Sequence, residues 1–358
     1  MIAVVAPEPV PWLAFAIELA RAEGDDVQVL APWALRDRLA WRVAAGRLDF
    51  ARRRMAPDTA GARLSAQPGW PLAELALSAW IGQRADRRLR ALFWRRAAVD
   101  RLAARWLAGR SDLCGVIAPA GAAERSFAVA AERGARRVLL EDLPGLRQLQ
   151  EDLDRAAAAH PDCRFLRRYR APLAVVARQE SEWALADQLV LRGRFAHEVR
   201  LRAGVPVDRL AAWPARHPPA APRGGALPGR RVLLAGLAAA RHGTAEALAL
   251  LRARDRIELV LRIGEGFEPR ELAAHPRAIA ARGDPLAGVD LVIAPAWCES
   301  YPAELARAAG LGIPIVATRR AAADLDVHLI DPGDVGGLIA AADRLLSPTP
   351  ATLPACGS

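Results

Sequence analysis

Lysine is absent from the 358-residue chain: all 50 cationic side chains are arginine, set against 40 Asp and Glu. This excludes Schiff-base chemistry and the lysine of a phosphate loop, because a guanidinium keeps its proton and cannot act as an amine nucleophile. Long hydrophobic runs are also missing. The longest uncharged apolar stretches, Leu113 to Ala123 and Ala308 to Thr318, are about 11 residues, short of the roughly 20 that span a bilayer. Cysteine is scarce, and Cys114, Cys163, Cys298 and Cys356 lie too far apart for a metal knuckle, so they read as buried or idle thiols. The six histidines, His160, His197, His217, His242, His275 and His328, include no i, i+4 pair. G-x-G-x-x-G does not follow the first apolar run, which continues as APEPVPW, and G-x-S-x-G and H-E-x-x-H are missing. Two D-x-D matches, 152–154 and 324–326, fall at chance level among so many acids. The N-terminal stretch has no basic leader and is interrupted by Glu8 and Glu18, so it does not read as a signal peptide; the cytoplasm is the expected compartment.

What is present is apolar substance, 53% of residues, enough for two cores at about 150 residues per domain. Short β-rich runs alternate with Ala- and Leu-rich amphipathic stretches, which predicts parallel sheets covered by helices. IAVVA (2–6), VQVLA (27–31), LCGVIAP (113–119), RVLLE (137–141) and DQLVL (187–191) are the strands of a first series. The Pro- and Gly-rich stretch at 212–230 reads as a hinge linker. A second series follows with RVLLAG (231–236), IELVLRIG (257–264), VDLVIAP (289–295), GIPIVAT (312–318) and VHLI (327–330). The reading is an α/β chain of two doubly wound, Rossmann-like domains facing across a cleft, 1–211 and 231–347, with a tail at 348–358. Ligands are expected beyond the carboxyl ends of the strands.

Charge is concentrated in one place. Residues 33–110 carry 17 arginines against Asp37, Asp49, Asp58, Glu74, Asp86 and Asp100, a net +11, so the other 280 residues are near neutral. Within this basic insert Trp80, Leu89, Leu92, Phe93, Val99, Leu102 and Trp106 can share helix faces, while Arg84, Arg87, Arg88, Arg90, Arg95, Arg96 and Arg101 fill the remainder. Two readings stand: a peripheral contact with an anionic membrane surface on its inner face, or a solvated face on ordinary core helices. Nucleic acid is not the expected partner, since no binding motif accompanies the charge.

The most informative segment is VDLVIAPAWCESYPAELARAAGLGIPIVAT, 289–318. A strand ends at Pro295, a loop carries Glu299, Ser300 and Tyr301, a helix begins near Pro302, and Gly312-Ile313-Pro314 turns into the next strand. Free amides at such a helix start suit an anion such as a diphosphate. This segment resembles the retaining glycosyltransferases of family 4, which have the GT-B fold, in Glu299, Tyr301, Pro302, Gly312, Ile313, Pro314, Ala317 and Thr318. The resemblance extends to 180–210, to VLLAGLAAARHG (232–243) and to LVLRIGEG (259–266), and departs elsewhere. The family's second Glu, which bonds the nucleotide ribose, falls at Arg307, and its diphosphate-clamping Arg and Lys fall at Leu237 and His242.

The resemblance implies a metal-independent hexosyltransferase-like enzyme of polysaccharide or glycolipid biosynthesis. A nucleotide-diphosphate sugar is its donor substrate, with no separate cofactor, and a lipid-linked or saccharide molecule its acceptor. Donor contacts are expected at Gly236, Arg241, His242, Gly264, Ser300, Tyr301, Pro302 and Arg307. Glu299 is the expected catalytic carboxylate, though it could instead only cap its helix. Glu141 and Asp142, at the end of RVLLE, are candidate catalytic carboxylates on the acceptor side or else a solvated loop. The altered donor positions leave a second class open, a catalytically inactive GT-B-like binding or scaffold protein.

Overall fold

A computed structural model describes residues 1–8, 12–24, 26–32, 62–65, 70, 76–77, 85–163, 166–167, 170–213, 230–262, 274–281, 283–298, 303–322 and 325–347. They form two compact units. One holds Met1–Gln150, Arg168–Arg192 and Ala196–Trp213, the other Glu151–Arg167, Gly193–Phe195 and Pro214–Ser358. The second unit therefore takes in two short segments that precede the linker expected at 212–230; of that linker, residues 214–229 lie outside the described residues.

Among the described residues the first unit is built on seven strands: β1 (Ile2–Val5), β2 (Val27–Leu30), β3 (Arg63–Ser65), β4 (Gly115–Pro119), β5 (Arg136–Glu141), β6 (Gln188–Leu191) and β7 (Leu210–Ala212). All neighbours are parallel, in the order β3-β2-β1-β4-β5-β6-β7. Central strands such as IAVV and GVIAP are buried at every residue, which is why they read as continuous rather than alternating apolar runs. Helix Trp12–Glu23 buries Trp12, Leu13, Ala16, Ile17 and Ala20, one stripe at helical spacing.

The second unit repeats the pattern with β8 (Arg230–Leu237), β9 (Ile257–Arg262), β10 (Ala278–Ala280), β11 (Leu291–Ala294), β12 (Ile315–Thr318) and β13 (His328–Ile330), again all parallel, ordered β10-β9-β8-β11-β12-β13. In both sheets growth reverses at the first strand, between β1 and β4 and between β8 and β11. Such a reversal leaves a crevice at the carboxyl ends of the two strands, because the connections leave them to opposite faces.

Of the basic insert, the helix Ala85–Ala108 is described, whereas Trp80 and Arg84 lie outside the described residues. Val99, Ala103 and Leu107 recur every fourth residue and are buried, and the Arg133 guanidinium donates to the carbonyls of Ala108 and Arg110 at its end. One of its residues departs from the expected pattern: Arg96 turns inward to Glu8 rather than joining a solvated cationic face. Trp94 is 46% exposed and stacks on Trp70 at 6.1 Å. Among the described residues no helix is long and apolar enough to cross a membrane.

Candidate functional site

In the second unit the β8/β11 crevice is closed at its base by backbone contacts that only particular residues allow. Gly236 sits at φ +79°, beside an irregularity in the pairing of β8 with β9 between Leu234 and Leu237. The chain then turns through a 3₁₀ segment, Ala240–His242, to Gly243 at φ +85° and enters the helix Thr244–Ala253. A Cβ on Gly243 would lie 2.4 Å from the Pro295 carbonyl oxygen, so the loop after β8 and the loop after β11 meet at a glycine for steric reasons. Trp297 N and Cys298 N donate to the Arg241 carbonyl at 2.9 and 3.3 Å, and Thr318 Oγ1 donates to the Ala296 carbonyl at 2.8 Å. Three strand ends thus hold one rigid turn.

A side-chain cluster braces the same turn. Glu246, 1% exposed in the first turn of its helix, accepts the Trp297 indole N–H at 2.8 Å and bonds His160 Nε2 at 3.0 Å through the same oxygen. His160 also meets the Trp297 ring edge-on, with centroids 5.8 Å apart. From the other side Gly333, at φ +83°, approaches so closely that a Cβ would lie 2.8 Å from the indole. The hydrogen bond to Glu246 raises the His160 pKa above its ordinary value. Sequence reasoning missed this trio: 86 residues separate His160 from Glu246, and no local pattern marks either.

The sequence-expected donor residues divide into three groups. Gly236, Arg241 and His242 come together at this turn. His242 is buried and its Nδ1 bonds the Leu237 carbonyl at 2.5 Å, while Leu237 itself is 41% exposed. Arg307 lies on helix Ala303–Gly310, where its guanidinium binds Asp284 at 2.8 Å and holds that carboxyl below the usual range. Gly264, Glu299, Ser300, Tyr301 and Pro302 lie outside the described residues. On the same helix as Arg307, the buried carboxylate of Glu304 accepts from Arg262 at the end of β9. No group of three or more His, Cys, Asp or Glu among the described residues could hold a metal ion.

In the first unit the helix Glu124–Glu132 starts just after β4, and its amides are taken by carboxylates of the chain itself. Glu182 accepts from the backbone N–H of Gly121, Ala123 and Glu124 at 2.5 to 3.2 Å. Asp100 accepts from Arg125 N, Ser126 N and Ser126 Oγ, and Arg178 bonds both acids. Burial pushes the Glu182 carboxyl up to about 7, against the pull of those amides and Arg178.

Of the acceptor-side candidates, Asp142 is half-buried, and Glu141 is 1% exposed at the end of β5. Arg200 grips Glu141 through two bonds of 2.8 and 2.9 Å, the Trp183 indole donates a third at 2.8 Å, and the guanidinium lies 3.5 Å over the Trp183 ring. Gly145, at φ +103°, leaves room for Arg200, since a Cβ there would come within 2.6 Å of Nη2. With that many partners Glu141 fastens the strand end to the helix Arg194–Arg202, where a solvated loop or a freely reacting carboxylate was the expectation.

Two doubly wound parallel units in one chain, each with a crevice at its first strand, are the GT-B fold. No family model matches the sequence, and no curated protein matches it; the likeness lies with solved structures. The chain is similar over 97% of its length, and 91% of that chain, to a trehalose-6-phosphate synthase, with a TM-score of 0.58 and 13% identity. It is similar over 96% of its length to the lipopolysaccharide outer core galactosyltransferase WaaB in its apo form, covering 89% of that chain at a TM-score of 0.55 and 13% identity. A third is HepE of Anabaena in complex with UDP, matched over 96% of this chain and 88% of that one, with a TM-score of 0.53 and 13% identity.

Two outcomes follow from these contacts. Arg200→Met strands the Glu141 charge in the interior and is expected to cost about 3 to 5 kcal/mol, read as a lower urea midpoint for the first unit. For His160, the folded-state pKa lies above the unfolded one. Its stabilisation is therefore complete below the ordinary value of 6.5 and disappears as pH rises through the raised one. The melting temperature should fall across that window, and His160→Gln should flatten the profile.

Proposed function

We propose that the chain is a glycosyltransferase that moves a sugar from a nucleotide-diphosphate donor to a saccharide or lipid-linked saccharide acceptor, with retention and without a metal ion. The observation that carries this reading is the β8/β11 crevice, a glycine-built turn that leads into a helix start at the switch point of a doubly wound sheet. Backbone amides and a partial positive charge at such a place favour a diphosphate, and they stabilise it most as it leaves and its charge grows. Arg241, in the turn, is the cation for that charge, and Glu299 the carboxylate that the resemblance places beside the donor sugar. Arg307 would have to leave Asp284 to serve the donor.

The neighbours support the choice of ligand. HepE has been solved with UDP and with UDP and glucose, and the work on trehalose-6-phosphate synthase concerns glycosyl transfer with retention. Uridine nucleotides are therefore the first candidates. On the acceptor side, Asp142 is the carboxylate at a strand end that is not fully buried, and it is the residue we assign there in preference to Glu141. The basic insert supports peripheral attachment to an anionic membrane, in keeping with a lipid-linked acceptor. A second reading, a binding protein without turnover, draws on the buried His242 and the exposed apolar Leu237 where the resembled family has cations.

Calorimetric titration of the folded chain with UDP, GDP, CMP and their sugars tests the main reading. One nucleoside diphosphate is expected to bind, and Arg241→Ala to weaken it about tenfold or more, as removal of a charge-assisted hydrogen bond does. Binding of none refutes the reading, whereas binding without sugar release or transfer selects the second. Cosedimentation with vesicles containing phosphatidylserine should be strong at low ionic strength and lost in high salt; absence at low salt removes the membrane attachment.

A further inference from the structure

The other switch point, between β1 and β4 in the first unit, holds a carboxylate that no fold requirement exhausts. Glu8 lies just past β1 and is 8% exposed. Its Oε1 accepts from Arg96 Nε at 3.0 Å and Nη2 at 2.5 Å, while Oε2 is buried and has no hydrogen-bond partner among the described residues. Arg96 also donates Nη1 to the Ala120 carbonyl at 2.8 Å, just past β4, so one guanidinium ties the two strand ends together. The unit's other buried acids among the described residues are fully used, Glu141 by Arg200 and Trp183, Glu182 and Asp100 by helix amides and Arg178. A buried ionised oxygen with nothing to accept is costly, and a ligand that donates a hydrogen there relieves that cost.

The surroundings also define the ligand's charge. Among the described residues Arg96 is the cation bonded to Glu8, and the negative fields of Glu8, Asp142 and Glu182 all act on it, keeping its pKa high against the lowering effect of burial. The helix start beside this point, which in such folds takes phosphate, is already filled by Glu182 and Asp100. An ionised carboxylate only accepts, so its partner must be an O–H or N–H donor.

We propose that Glu8, held by Arg96, is the hydroxyl-binding carboxylate of a sugar subsite on the first unit, a subsite for the uncharged polyol part of a ligand and not for a phosphate group. The assignment of that sugar as the acceptor rests on the transferase reading; the binding chemistry does not. Its consequence for a lipid-linked acceptor is that the sugar end, rather than the phosphate end, meets this unit.

The test is saturation-transfer NMR and calorimetry on the full chain with methyl α-glucoside, methyl α-galactoside and methyl glucosaminide, in the presence and absence of inorganic phosphate. At least one glycoside should bind, phosphate should not displace it, and Glu8→Gln should weaken it about tenfold or more at a temperature where circular dichroism shows the variant folded. Glu8→Asp, which keeps the charge and shortens its reach, gives the same loss if Glu8→Gln fails to fold. Nucleoside-diphosphate affinity, measured on the same samples, should stay within about twofold of the parent value. No glycoside bound, displacement by phosphate, or unchanged affinity in both variants overturns the subsite. Glycoside binding without any nucleotide binding leaves the subsite standing and removes the transferase reading instead.

Discussion

A parallel sheet that grows outward on both sides of its first strand has one place where neighbouring connections depart to opposite faces, and both units of this chain are built around such a place. The strand ends there are not covered by the sheet's own crossovers, so whatever occupies them must be supplied by special residues. In the second unit these are glycines: Gly243 against the Pro295 carbonyl and Gly333 against the Trp297 ring. In the first unit they are charges, with Arg96 spanning from Glu8 to Ala120, and Glu182 with Asp100 filling the next helix start. One topology therefore yields two chemically different strand-end clusters, one closed by glycine-permitted backbone contacts and the other by carboxylates and an arginine.

The arginine-only cation set suits this architecture. Buried acids such as Glu141 and Glu8 are gripped through two N–H groups of a single guanidinium, a planar arrangement that a lysine ammonium cannot reproduce. Arginine also reaches carbonyls at helix ends, as Arg133 and Arg277 do, and lies over aromatic rings, as Arg200 does over Trp183. Much of the positive charge is thus structural. The net charge of the chain overstates what is free to meet a partner, and Arg96 is the clearest case.

Legibility in the sequence followed burial. The central strands were readable because parallel strands buried on both faces must be continuous apolar runs. Of the three-residue edge strands, β13 was read through its run VHLI, whereas β3, β7 and β10 were not, since RLS, LAA and AIA contain no fully buried residue and so no continuous apolar run. Gly236, Arg241 and His242 were legible together because they lie close along the chain at the end of a recognisable strand. Glu141 was legible as a carboxylate at a strand end, but its burial under Arg200, 59 residues later, was not. The Glu246, His160 and Trp297 cluster left no signal, for each member comes from a different part of the chain.

The sequence by itself determined the class of fold, the two-part organisation, the place of the glycine-built turn, and the exclusion of lysine chemistry, because these depend on periodicity, composition and residues near one another along the chain. Only the tertiary structure decided which charges are committed. Arg307 to Asp284, Arg200 to Glu141, Arg96 to Glu8 and His160 to Glu246 are pairings over 23 to 88 residues. Their partners are chosen by where strand ends and helices meet in space, and the Coulomb and hydrogen-bond energies that fix them depend on distance and burial, neither of which a linear pattern carries.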